Sequence, residues 1–470
     1  MSDTSSRKRP RVDPVAAMFP TLPHTEEDLR EMLAAVGASS LQDLFADIPG
    51  ELCCDRPLAI PEARSEFEVY RRLSELAARN RTEAVSFLGG GSYEHLIPAT
   101  VGAVLARSEF YTSYTPYQAE ISQGVLQAIF EYQTLICALT GLEVSNASLY
   151  DGATGACEAV ALALNSVRRA RRILFSRTLH PHTRRVLATH FSGLDVELVE
   201  VAECDGVTDR EDLRRSLREG VAAVLVQSPN VLGLVEDFTG LAEEVHAAGA
   251  LLLISANPFA LGLLKSPGEW GADVAVGDAQ PCGLPTYFGG PTVGYLAARQ
   301  ALLHKMPGRI AGQSVDREGR RAFVLTLQAR EQHIKRERAT SNICSNQALA
   351  ALAVAVYLST VGRQGLAEAA GQCLRKAHYL HDRLLRELPV RALAEQPFFH
   401  EFPLLLPKAA GPVLERMEAE GIFAGLPLGR LAPELCPAQT GERAILVAVT
   451  EKRTRAELDR YVEALGRALR

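Results

Sequence analysis

Through the middle of the chain, short apolar runs alternate with stretches of helical periodicity. Arg172–Ser176, Val196–Val201, Val221–Gln227, Leu251–Ser255 and Val274–Gly277 are β-branched and apolar, and most of them carry apolar residues at consecutive positions. Strands of that kind are buried on both faces, as in a parallel sheet covered by helices. From about Phe87 to Asn346 the pattern therefore predicts an α/β fold with a mostly parallel sheet. Before it, Thr25 followed by Glu26, Glu27 and Asp28 marks a helix start, and Pro61–Asn80 carries a second, amphipathic helix. After it, Gln347–Leu358 reads as a helix, Phe398–Leu405 and Ala444–Thr450 as strands, and Thr454 with Glu457 as a capping box opening the last helix. Three zones follow: a helical arm over 1–80, a large α/β domain over 81–346, and a linker helix with a small α+β domain over 347–470.

Composition adds exclusions. A chain of 470 residues, 47% of them hydrophobic, has enough apolar side chains for substantial cores, and a formal net charge of -6 argues against general nucleic-acid binding. No run approaches the roughly 18 apolar residues that span a bilayer, and the opening MSDTSSRKRPRVDP has no apolar core of a signal peptide. A cytoplasmic protein with no membrane contact is expected. Arg7–Arg11 (RKRPR) reads as a solvated tail, with an anion-binding patch as the alternative. Nine cysteines form no CxxC pair and no zinc-type spacing, so they are expected to be reduced and mostly buried, Cys282 as a small core residue.

Three segments carry candidate chemistry. Asp151–Gly155 (DGATG) precedes a helix expected over Ala156–Arg168, whose free N–H groups would suit a phosphate, though a plain capped helix has the same sequence. Gly89–Pro98 (GGGSYEHLIP) and Tyr111–Gly124 (YTSYTPYQAEISQG) concentrate Tyr, Glu, Gln and His in poor helix and strand formers, which reads as site lining or an interface. Ala272–Gly294 is a buried strand, then a polar turn, then a Gly/Pro-rich loop. That turn, Gly277–Pro281, contains no lysine, and the nearest ones are Lys265 and Lys305. His180 and His182, two apart with no third ligand at a usual spacing, read as a solvated loop after a strand, and no metal site is expected.

Gly89–Pro98, Tyr114–Gly124, Phe130–Ala159, Val274–Ala297, Leu325–Leu349 and Val449–Thr454 (VTEKRT), in that order, resemble the P-protein of the glycine cleavage system, glycine dehydrogenase (decarboxylating). The likeness runs from about Thr21 to the C-terminus, and length and turn look like the separate N-terminal-half subunit of enzymes split in two. The resemblance implies the fold-type I architecture of pyridoxal-phosphate (PLP) transferases, in which such a turn presents a Schiff-base lysine. In this family that lysine belongs to the other half. Counting back from Gly289, Gly290 and Pro291 puts Gln280 at the matching position, and glutamine cannot form an aldimine. Where enzymes of this fold place an acid against the pyridine nitrogen, this chain offers Ile254 or Ser255, followed by Ala256 and Asn257.

What the resemblance implies is a heteromeric glycine dehydrogenase (aminomethyl-transferring). A second, β, subunit would carry PLP, react with glycine, release CO2, and pass the aminomethyl group to the lipoyl arm of H-protein. By match to the family motifs, Tyr93, Glu94, His95, Tyr114, Tyr117, Gln118 and Glu120 would complete the site from across the contact, with the tyrosines and His95 as polar walls or proton donors and Glu120 as an orienting carboxylate. Thr340, Ser341 and Asn342 would sit at a helix start near the interface. Loop packing is the alternative for each residue. For the chain, the alternatives are a structural and docking subunit, or an independent PLP enzyme using another lysine.

Overall fold

The computed structural model describes residues 24–53, 59–167, 169–218, 220–287, 289–436 and 438–470. The basic run Arg7–Arg11 lies outside them. The chain divides into two compact units, up to Asn80 and from Arg81 to Arg470. In the first, α1 (Glu26–Val36) and α2 (Glu66–Ala77) both open on capping boxes, Thr25 with Asp28 and Ser65 with Glu68. Each box satisfies helix-start N–H groups with an oxygen acceptor and fixes the first turn where the sequence puts it.

The second unit is built on a seven-stranded sheet. Its strands are β1 (Val144–Ser145), β2 (Arg172–Ser176), β3 (Glu197–Val201), β4 (Val221–Ser228), β5 (Leu251–Ala256), β6 (Val274–Asp278) and β7 (Gly294–Ala298), in the order β1-β7-β6-β5-β4-β2-β3. Every pairing is parallel except the two made by β7, which runs against β1 and β6. Alternate residues leave opposite faces. Ala223 and Leu225 of β4 and Leu253 of β5 pack with Ala156 and Val160 of α4 (Gly152–Ser166), whereas Val224, Val226, Leu252 and Ile254 pack with Phe238, Leu241 and Val245. Both faces are thus covered, and this is why these strands read as continuous apolar runs.

α3 (Gln123–Thr140) brings Tyr132 and Ile136 against Tyr295 of β7 and the early turns of a helix of 40 residues, α6 (Ala348–Glu387). Gly362, at φ 61, interrupts that helix. Among the described residues α6 is the one helix long and apolar enough to cross a membrane, but half of its apolar window is packed inside the protein, as in a core helix. It leads to a four-stranded antiparallel sheet, β8 (Arg391–Ala392), β9 (Glu401–Leu405), β10 (Leu426–Pro427) and β11 (Ala444–Ala448), backed by α7 (Arg455–Ala468) behind its Thr454–Glu457 capping box.

Two expectations need correction. α4 starts at Gly152 rather than Ala156, because Asp151 accepts the Thr154 N–H and serves as N-cap. Thr340, Ser341 and Asn342 are not at a helix start: the segment is irregular, Ser341 Oγ accepts the Ile343 N–H at 3.1 Å, and α6 begins at Ala348.

The small sheet is joined to the large one by backbone. Leu234 bridges Phe398, Val235 N–H donates to Pro397 O at 2.7 Å, and Phe399 N–H donates to Gly233 O at 3.1 Å. Gly233 has φ 79, and a Cβ there would lie 2.0 Å from Glu401 O. Gly233→Ala is therefore expected to destabilise the chain by about 3 kcal/mol, positive-φ strain adding to backbone overlap. Gly249→Ala, with φ 74 but nothing within 4 Å of the added carbon, should lose only about 1 kcal/mol. Denaturant melts of the two variants check the ranking.

Candidate functional site

At the C-terminal ends of the parallel strands, where open α/β sheets bind ligands, lies a cavity of about 550 Å³. Its walls are the Gly90–Tyr93 loop, the start of α4, His180 to Val186 at the start of α5 (Pro181–Phe191), Gln227 and Pro229 after β4, Ser255 to Asn257 at the end of β5, Asp278, Pro281 and Thr292, and His400 with Glu401 from β9.

Two of the amides that would suit a phosphate already have carboxyl partners. Asp151 Oδ1 accepts the Thr154 N–H at 2.7 Å, and Asp278 Oδ2 accepts the Gly152 N–H at 3.1 Å. Asp278 Oδ1 accepts the Gln280 N–H at 2.9 Å and the Thr292 hydroxyl. Burial raises the Asp278 carboxyl, while these donors pull it back. A carboxylate at a helix start draws on the same N–H groups and dipole as a phosphate would. Gly152 is required here, since a Cβ would lie 2.8 Å from Asp278 N.

The buried Gln280 side chain is fully engaged. Its Oε1 accepts the Tyr93 N–H at 2.9 Å, and its Nε2 donates to Tyr93 O at 3.0 Å and to Leu284 O at 2.7 Å. No lysine lines the cavity. At the end of β5, Ser255 faces it, whereas Ile254 is 1% exposed in the core of the other face. With no amine, no acid in the β5 wall and a carboxylate on the helix start, this pocket does not fit pyridoxal phosphate.

Tyr93, Glu94 and His95 are held from three directions. Glu401 Oε2 accepts the Tyr93 hydroxyl at 2.9 Å and Oε1 accepts the Gly90 N–H at 2.6 Å. Burial pushes the Glu401 carboxyl up to about 7. Glu94 meets Lys452 and Arg453, the latter at 3.0 Å. His95 Nδ1 lies 2.7 Å from Glu451 Oε2, which also accepts from the Cys373 thiol at 3.3 Å, and Glu451 Oε1 accepts the Leu96 N–H at 2.6 Å. Burial disfavours the Glu451 carboxylate, but His95 and these donors hold it down at about 2. One donor atom each from His95, Cys373 and Glu451 lies within 4.8 Å of the others, a juxtaposition with no sequence signature.

The second predicted group lies elsewhere. Tyr114, Tyr117, Gln118 and Glu120 are exposed and line no part of the cavity. Tyr114 OH is 3.1 Å from Ser345 Oγ. Tyr117 is carried by Arg309, which is 4% exposed, donates to the Tyr117 hydroxyl at 3.2 Å and lies 5.4 Å from its ring centre. Arg309 also donates to Ser345 O and Asn346 Oδ1, so it joins the tyrosine segment to the irregular stretch that holds Thr340–Asn342. The seven predicted residues thus form two groups, one beside the cavity, where Tyr93 lines it, and one on an exposed segment that also carries Tyr111 and Ile121.

His180 corrects the reading of a solvated loop. It is half-buried, caps α5 by accepting the His182 N–H, and lies 2.9 Å from Gly90 O through Nε2. Burial lowers its pKa to about 4. Cys282 is fully buried among core residues, its thiol pushed up to about 12 by burial. Of the eight described cysteines, all free, four are buried and Cys53, Cys204 and Cys344 are exposed, fewer buried than expected. Sequence reasoning missed Asp278, His400, Glu401, Arg309 and Glu451. Asp278 and Glu451 stood in motifs already singled out, though with no role assigned to either.

A family model described as glycine cleavage system P-protein matches residues 20–465. The chain is 51% identical over 444 residues to a probable glycine dehydrogenase (decarboxylating) subunit 1 of Moorella thermoacetica, covering 94% of this chain and 98% of that one. The likeness is 50% over 446 residues, with the same coverage, to the protein of that name from Carboxydothermus hydrogenoformans. A crystal structure of a glycine decarboxylase (P-protein) of the glycine cleavage system, in inhibitor-bound form, superposes with a TM-score of 0.86 at 46% identity, over 95% of this chain and 99% of that one. A NifS-like protein from Rickettsia africae, 11% identical with a TM-score of 0.62 over 82% of this chain and 99% of that one, shares the fold alone. The architecture is that of fold-type I PLP-dependent proteins.

Two outcomes follow from the site geometry. A carboxyl raised from 4.5 to about 7 stabilises the fold fully below pH 4.5 and progressively less as pH rises through 7, by roughly 3 kcal/mol. Glu401→Gln should therefore flatten the fall in stability between pH 4.5 and 7, as read by melts across that range. Gln280→Lys supplies an amine but removes the acceptor for the Tyr93 N–H and leaves Asp278 on the helix start. It should destabilise by about 1–3 kcal/mol and give no borohydride-fixed PLP at position 280, and stoichiometric fixation there would refute the misfit.

Proposed function

We propose that this chain, which belongs to the glycine cleavage system P-protein family, is the cofactor-free half of a two-subunit glycine dehydrogenase (decarboxylating). Its own pocket lacks the amine and the acid that PLP chemistry needs, so the partner subunit holds the cofactor, which supplies the electron sink for loss of CO2 from glycine. The aminomethyl group then goes to the lipoyl arm of H-protein. This chain contributes from the exposed patch. The observation that carries the reading is Tyr117, more than half exposed yet fixed from beneath by a buried arginine. Holding an exposed tyrosine in one orientation restricts its rotamers, which suits a group that must meet a partner's substrate in a set geometry. Glu120, Gln118 and Tyr114 flank it on the same segment.

The chain should be assembled with a candidate lysine-bearing partner and assayed for glycine decarboxylation. Activity is expected only in the complex, with borohydride-fixed PLP only on the partner. Tyr117→Phe and Glu120→Ala should each lower kcat by roughly 10- to 100-fold while the complex elutes unchanged on size exclusion. Unchanged kcat with weakened assembly or weakened H-protein binding would instead make the patch a docking surface.

A further inference from the structure

We propose that the cavity at the cofactor position of this chain is a binding site for a small amino acid, its ammonium group directed inward and its carboxylate toward the mouth. The inner wall holds Asp151, Asp278 and Glu401, and among the described residues none of these carboxyls is paired with a lysine, arginine or histidine side chain. The donors they do have are two backbone N–H groups on Asp278, one each on Asp151 and Glu401, and the Thr292 and Tyr93 hydroxyls. A carboxylate accepts about four hydrogen bonds, so each retains capacity. Buried carboxyls without a counter-ion are costly, and a cation entering the cavity offsets that cost.

An independent feature points the same way. His400 is 2% exposed, lines the cavity, and has no hydrogen-bond partner at either ring nitrogen. Burial lowers its pKa to about 3, so the ring is neutral and sets no opposing charge against a cation in the cavity. A neutral imidazole beside unpaired carboxyls leaves the inner wall acidic in character. The Ser255 hydroxyl, on the β5 wall, adds an oxygen to the same set.

The outer wall has the opposite character. Arg185 and His182 line the cavity from the first turns of α5, where both are exposed. Arg185 forms no salt bridge among the described residues, and a guanidinium binds a carboxylate through two parallel hydrogen bonds. Acid inside and a free cation outside match a zwitterion entering amino end first. A phosphate or a simple carboxylate fits poorly, because Asp151 and Asp278 already occupy the α4 amides.

The test is titration calorimetry on the full chain without partner, using glycine, methylamine and acetate. Glycine and methylamine should bind, glycine more tightly, and acetate should not. Arg185→Gln should weaken glycine about tenfold and leave methylamine unchanged. Asp278→Asn should weaken both about tenfold, and Ser255→Ala, which removes no anchor of the fold, should weaken both by a smaller factor. Binding of acetate as tight as glycine, absence of any binding by glycine and methylamine, or full binding in folded Asp278→Asn would overturn the assignment. Because no partner is present, failure of the half-enzyme reading would leave this measurement standing, and the reverse.

Discussion

The paired hydrogen bonds between the Gln280 carboxamide and the Tyr93 peptide hold the site in its present form. A glutamine both donates and accepts, and here it does both to the backbone N–H and C=O of one residue far away in sequence. That pairing fixes Tyr93 over the sheet edge, and Tyr93 in turn places its hydroxyl on Glu401. An ammonium at the same position could donate but not accept, so it would leave a buried N–H without a partner, at a cost of about 1–3 kcal/mol. Glutamine at this position and docking of the Gly89–Pro98 loop are thus structurally linked. The same side chain that cannot form an imine is the one that closes the roof.

The roof is clamped again from the small sheet. Glu94 lies between Lys452 and Arg453, and His95 meets Glu451, which also receives the thiol of Cys373 on α6. Three segments that are remote in sequence meet at one carboxylate. Exposed ion pairs contribute little, but Glu451 is largely withdrawn from water and its carboxylate is held low by three partners, His95, Leu96 and Cys373. Breaking one member would strand the others, so the cluster acts as a unit. Through Glu401 of β9 and His400 just before it, the small sheet is a wall of the cavity as well as a support.

The elements were legible because local rules dominate them. The apolar runs from Arg172 to Gly277 became β2 to β6, and Thr25 and Thr454 capped the helices their neighbours predicted. Gln280 was legible by its place in a turn. Asp278, two residues earlier, was not, because its importance comes from a hydrogen bond to Gly152, 126 positions away. His400 and Glu401 carry no motif, and their roles arise from packing against Tyr93, over 300 positions distant. His180 was misread for a related reason: a histidine after a strand resembles a solvated loop until another loop, here Gly90, covers it. Thr340–Asn342 failed as a helix start because Ser341 caps only a local turn, and Ser345 and Asn346, the latter at φ 48, bond to Arg309 and Ser148 before α6 begins.

A cavity of about 550 Å³ departs from close packing, which is the rule for protein interiors. The geometry explains why this one is hard to close. Its floor is the ends of β4, β5 and β6, whose register is set by two covered faces, and its sides are two helix starts fixed by Asp151 and His180 as caps. Its roof is fixed by Gln280 and Glu401. Every wall is determined by a constraint that has nothing to do with filling the space. A larger side chain at Gly152 would strike Asp278, and one at Gly233 would strike Glu401, so the positions nearest the void are the ones least able to grow into it. The fold therefore keeps the pocket whatever its lining, and the lining residues decide what it can hold.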